Sequence, residues 1–168
     1  MKYLAMLFLL ISGAAYSQSK SAEAFRAKYQ DDRDASVISL NGSLFNLFSN
    51  IAEAADEDDE EMQAMARITK DIRSMKIISL PVYKSGLEPS EIAQLRKDLM
   101  NEKYDELITM RDGRDQVYLL AQGDEKEVRN LYILVQEEED FTMVAIDGVI
   151  KMEDISYLAR HHRDLVND

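Results

Sequence analysis

The sequence predicts an α+β domain, an antiparallel β-meander with helices packed mainly on one face, and three observations predict it. Helical apolar periodicity governs the first half of the chain, and period-two patterning takes over from Tyr104. The strand-like runs of the second half are joined by short polar turns. No repeat or low-complexity linker divides the chain, and its length suits one domain able to bury its own core.

The elements follow in order. "MKYLAMLFLLISGAAYSQ" carries one Lys, runs apolar from Tyr3 to Ile11, and ends in the small residues Ala15 and Ser17. That is the pattern of a secretory signal peptide, with cleavage expected after Ser17 and a single domain over residues 18–168. The apolar run is far short of the ~20 residues a membrane-spanning helix needs. No Cys follows it to accept a lipid anchor. Export to the periplasm or the medium is therefore expected.

"SAEAFRAKYQ" sets Ala22, Phe25 and Tyr29 on one helical face, and "ASVISL" reads as a strand. "NGSLFNLFSNIAEAA" spaces Leu44, Leu47, Phe48, Ile51 and Ala55 as a helical stripe expected to be buried, with Asn41 or Ser43 as its cap. Met62, Met65, Ile68 and Ile72 repeat at helical spacing before "SMKIISLPV", a continuous apolar strand stopped by Pro81. "GLEPSEIAQLRKDLMNE" restarts a helix, with Pro89 in its first turn and Ile92, Leu95 and Leu99 facing inward.

"YDELITMR" and "DQVYLLAQ" flank an Asp112-Gly113 hairpin signal, and "RNLYILVQ" and "FTMVAI" flank the acidic turn "EEED". Four successive strands in a meander are predicted, the last ended by Asp147-Gly148. Alternation assigns Leu107 or Ile108, Val117, Leu119, Leu131, Ile133, Val135, Met143 and Ala145 to the core. Tyr118, Leu120, Tyr132 and Leu134 make the other face apolar too, so that face needs a cover: one of the N-terminal helices, a self-contact, or a partner for which it is the candidate surface. "KMEDISYLARHHRDLV" then closes the chain as a helix with Met152, Ile155, Leu158 or Ala159, and His162 inward.

Charge and composition narrow the functions. Without Lys2 and the rest of the signal, 19 Lys and Arg stand against 32 Asp and Glu, a net charge of −13. Nucleic acid and anionic lipid are repelled by such a chain, and the charge favours solubility. Cys is absent, which excludes disulfides, thiolate metal sites and a Cys nucleophile. There is no phosphate-binding loop and no G-x-S-x-G elbow. Paired carboxylates of the kind glycosidases use are easy to draw among 32 acids, and none is special. No catalytic residue, cofactor or enzymatic activity is expected.

Six consecutive carboxylates, Asp56 through Glu61, are the obvious place for a cation. They fail as an EF-hand loop, since "ADEDDEEMQAMA" has no Gly for the sharp turn. Asp58 and Glu61 instead have capping-box spacing, and the remaining charge suits a helix N-terminus. Asp56, Asp58, Asp59 and Glu61 remain weak candidates for Ca2+, the basis of an alternative reading as an acidic ligand-binding module. His161 and His162 are adjacent and point roughly 100° apart on a helix, so they make a poor chelate. The methionines, Met62, Met65 and Met75 among them, suit core filling or an adaptable binding surface.

The order of these features resembles the domain of unknown function 4252 family of exported Bacteroidota proteins. The resemblance is carried by "VISLNGSLFNLF", "MKIISL", "YDELITMRDGRDQVYLLAQ" and "LYILVQEEEDFTMVAIDGVIKMEDISYLA", and spans Phe25 to Ala159. It implies an envelope or secreted protein with no catalytic residues to carry over. Family members often lie beside genes for extracytoplasmic-function sigma factors, which implies a link to envelope stress. Many relatives carry a lipoprotein Cys that this chain lacks. A non-enzymatic interaction protein, contacting another envelope protein, is the expectation that results.

Overall fold

A computed structural model describes residues 18–53 and 60–154. The elements run α1 (Lys20–Tyr29), β1 (Ser36–Asn41), α2 (Gly42–Glu53), α3 (Glu60–Lys70), β2 (Ile72–Pro81), α4 (Val82–Ser85) and α5 (Pro89–Asn101), then β3 (Asp105–Asp112), β4 (Asp115–Gly123), β5 (Glu127–Gln136) and β6 (Asp140–Lys151). The six strands form one antiparallel sheet in the order β1-β2-β6-β5-β4-β3. The signal segment and the closing helix expected beyond Met152, apart from a helical turn at 152–154, lie outside the described residues.

Local chemistry explains the helix ends. The Ser19 hydroxyl accepts from the Ala22 N–H at 3.0 Å, capping α1, while the Ser19 N–H donates to the Tyr132 hydroxyl at 3.2 Å and ties the helix start to β5. The Asn41 side chain accepts from the Ser43 N–H at 3.1 Å, so it is Asn41 that caps α2. Pro89 opens α5 behind a capping box between Glu88 and Glu91. Ser21 donates to Glu102 through both its hydroxyl, at 2.6 Å, and its backbone, at 3.0 Å, and this pins α1 to the end of α5.

Register fixes which side chains share a face. Ile78, Met143, Leu134 and Tyr118 form one cross-strand row, with Leu80 beside Phe141 and Tyr132 beside Leu120 in flanking rows. This face is covered by Ala22, Phe25 and Tyr29 of α1 and by Ile92, Leu95 and Leu99 of α5, and together they are the main core. Phe25 meets Phe141 edge-on at 5.5 Å, and Tyr104 meets Tyr132 the same way at 5.1 Å.

The core therefore lies on the face opposite to the one that alternation suggests. Tyr118, Leu120, Tyr132 and Leu134, the face expected to need a cover, are buried beneath α1 and α5, so helices of this chain supply the cover and the face is not available as the candidate partner surface. Val117, Leu119, Leu131, Ile133 and Val135 are only partly buried on the far face, and Leu107 and Ile108 are exposed. Met143 and Ala145 do join the core, but on the tyrosine side.

Two glycines differ from expectation. The β3–β4 loop is Gly113-Arg114 rather than Asp112-Gly113, since Asp112 pairs with Asp115 and Gly113 takes φ +59°. Gly148 does not end β6, which runs on to Lys151. A Cβ there would sit 2.6 Å from the Asp71 carbonyl oxygen, so the glycine permits the close approach of β2 to β6 at the bulge after Ile72.

Candidate functional site

α2 is built from two adjoining stripes. Phe45, Ser49 and Ala52 follow i, i+4, i+7 spacing and are buried, and the Ser49 hydroxyl donates to the Ala66 carbonyl of α3 at 3.3 Å. Ala64 and Ala66 of α3 are likewise buried. Small residues at these positions let two helix backbones approach, and that contact decides which side of α2 turns inward.

The larger apolar stripe is left outside. Leu47, Phe48 and Ile51 are 55, 56 and 59 % exposed, and Met65 of α3 is 45 % exposed. The sequence pattern predicts Leu44, Leu47, Phe48, Ile51 and Ala55 as a buried stripe; of these Leu44 is partly covered, and Ala55 lies outside the described residues. Two large apolar side chains in one turn of the helix and a third in the next make a contiguous apolar patch, a type of surface that marks interaction sites. The signal that could have found it is the breadth of the apolar arc: Phe45, Ser49 and Ala52 form the buried side, and Leu47, Phe48 and Ile51 lie beyond it.

A second apolar area lies on the far face of the sheet. Ile38, Ile77, Val144, Ile133, Leu119 and Ile108 pair across all six strands in a single row. The inner members are partly buried, and the edge residues Ile38 and Ile108 are each 46 % exposed.

Charged groups concentrate elsewhere. A cleft of about 620 Å³ between the start of α5 and the hairpin turns is floored by Leu87 and Ile92, with Tyr83, Arg111, Arg114 and Glu137 around it. Arg114 is engaged by Glu138 at 2.5 Å. Farther along the same face, Arg96 forms a two-pronged ion pair with Glu106, and this pairing holds the Arg96 guanidinium pKa up and the Glu106 carboxyl below its usual range. Burial pushes the Tyr132 phenol far above its ordinary value. Arg114 with Glu138 and Arg96 with Glu106 are thus ion-pair partners that join the hairpin turns to each other and α5 to β3.

Of the metal candidates, Asp56, Asp58 and Asp59 lie outside the described residues, as do His161 and His162. Glu61 falls in the first turn of α3. Among the described residues, no group of three or more His, Asp or Glu is placed to hold a metal ion. No helix among them is long and apolar enough to cross a membrane.

The family model for a domain of unknown function (DUF4252) matches residues 29–158. The chain belongs to the DUF4252 family. No curated protein and no solved structure matches it. The matched span of this DUF4252 chain takes in every strand and the whole α2–α3 hairpin, but only the last residue of α1. The apolar patch on α2 therefore belongs to the family's own domain, and not to an appendage.

Proposed function

We propose that this DUF4252 chain is an exported, non-enzymatic protein-interaction module of the cell envelope, acting in envelope-stress signalling through the outer face of α2. The observation that carries the proposal is the exposure of Leu47, Phe48 and Ile51 on one helical stripe. A helix that leaves such residues more than half exposed gives up roughly half of the ~1.5–3 kcal/mol that full burial of each would contribute. A partner helix or groove that covers the stripe recovers it, in the manner of helix-in-groove recognition. Met65 on the neighbouring helix adds an adaptable surface. Export is supported by the signal-like first 17 residues, and the stress role by the gene neighbourhoods that the family resemblance implies.

Affinity purification from the native envelope, with the wild-type chain beside the double variant Phe48→Glu and Ile51→Glu, tests the reading. A protein retained by the wild type and lost with the folded variant is the expected result. An unchanged set of co-purifying proteins would sink it.

A further inference from the structure

We propose that the far face of the sheet packs against the same face of a second copy of this chain, the two sheets stacking as a sandwich with α1 and α5 on its outside. The inference is independent of the α2 patch.

An antiparallel sheet with one solvated face alternates apolar and polar side chains. Here the face turned away from α1 and α5 is apolar as well. Beside the six-strand row that runs from Ile38 to Ile108, register adds a second row, Ser36, Ser79, Thr142, Val135, Val117 and Met110, and a shorter third, Leu40, Met75, Ile146 and Leu131. No position in the three rows is charged, although 31 % of the chain is. Ser36, Ser79 and Thr142 are the polar ones, and the hydroxyls of Ser79 and Thr142 bond each other at 2.9 Å. None of these residues is buried. Strand for strand, Ile78, Met143 and Leu134 beneath the helices are 1, 2 and 0 % exposed, whereas their neighbours Ile77, Val144 and Ile133 are only partly covered. A contiguous apolar face free of charge has the make-up of an interface core.

Area and chemistry together name the occupant. With strands ~4.8 Å apart and a rise of ~3.3 Å per residue, the three rows occupy about 500 Å². Residues 155–168 are the chain beyond the last described residue. Even drawn out as one helix they make a rod ~21 Å long and ~10 Å wide, less than half of that area. The opposite face takes two helices, α1 and α5. Two copies face to face bury about 1,000 Å², the extent at which a specific protein interface begins. An uncharged face is also complementary to itself. The excess of acids lies off it, and Asp112, Asp115 and Asp140 stand past one end of the rows, exposed at a rim where solvent screens them. Identical sheets share one twist, so the side chains of two copies interdigitate in aligned packing ~10 Å apart. The rows hold no charge to select a foreign protein instead.

An interface of this size is weak and forms with concentration. Sedimentation velocity of the purified chain, from about 1 μM to 1 mM, is expected to show a monomer–dimer equilibrium. Ile133→Glu, in the middle of the first row, raises the dissociation constant on the order of 100-fold, because symmetry buries the unpaired carboxylate twice. Ile38→Glu with Ile108→Glu changes the two ends of that row, where both side chains are 46 % exposed and folding is not at stake. This pair raises the constant ~10-fold. Phe48→Glu with Ile51→Glu on α2 leaves it unchanged. Monomer at every concentration, the outcome if residues 155–168 or a foreign protein cover the face, overturns the proposal. So does a dimer indifferent to the far-face variants, or one lost with the α2 variant. Circular dichroism of each variant, matching the wild type, secures the comparison.

Discussion

Arg96 of α5 places its guanidinium carbon 4.3 Å from the centre of the Tyr118 ring while one of its nitrogens lies 2.8 Å from the Glu106 carboxylate. One side chain thus ties the core helix to both β4 and β3. Arg96→Ala removes a cation–π contact and a two-pronged ion pair together, and is expected to cost about 1–2 kcal/mol in urea unfolding. Arg96→Lys recovers only part of this, because an ammonium makes neither the planar stacking nor the forked pair.

The two sheet faces differ in energetic weight. Leu134 is fully buried under the helices, whereas its neighbour Ile133 is partly buried on the far face. Leu134→Ala is expected to lose about 2–5 kcal/mol, the range for emptying a packed site. Ile133→Ala loses well under half as much. Equal losses in paired denaturation curves would contradict this assignment of faces.

That assignment is where sequence reading stopped. The strands of "YLL" and "LYILV" are apolar at consecutive positions, so alternation has no polar phase to anchor it, and either face could be the core. Strand positions, the α5 capping box and the α1 face were legible, since each rests on chemistry within a few residues. Which face α1 and α5 would cover depends on long-range contacts such as Ser19 to Tyr132 and Ser21 to Glu102. The orientation of α2 was hidden for a related reason: two of its three buried positions, Ser49 and Ala52, weigh little in any apolar pattern, and Ser49 makes a long-range bond to Ala66 of α3.

Gly148 admits no side chain without displacement. Gly148→Ala brings a methyl group within 2.6 Å of the Asp71 carbonyl and 2.8 Å of the Ile72 Cα. Since both obstacles are backbone, the bulge must open, at an expected cost of about 1–3 kcal/mol. Thermal melts show a lowered midpoint, and Gly113→Ala, strained only by its positive φ, loses less.

Acid weakens the fold through identifiable carboxylates. Burial raises the pKa values of Glu23 and Glu102, but Arg26 and Lys76 on the first, and Ser19 and Ser21 on the second, outweigh it and leave both lowered. Glu91, beside Lys28 and Tyr29, and Glu106, beside Arg96, are lowered too. Each has a folded value below its ordinary 4.5. Their stabilisation is therefore complete above about pH 4.5 and is lost as pH falls through the lowered folded-state values. Urea midpoints are expected to be flat from pH 7 to 5 and to drop steeply beneath 4.5. A midpoint that rises on acidification would refute the assignment.

The sheet order also governs how the molecule can be made. Among the described residues, β6 sits between β2 and β5 and joins the β1–β2 pair to the β3–β4–β5 meander. A chain halted before Asp140 holds two fragments of sheet with no seam between them, and long-range closure of that kind is slow. The polypeptide therefore commits to its fold only when nearly its whole length has emerged. Until β6 is in place, the facing edges of β2 and β5 stay unpaired.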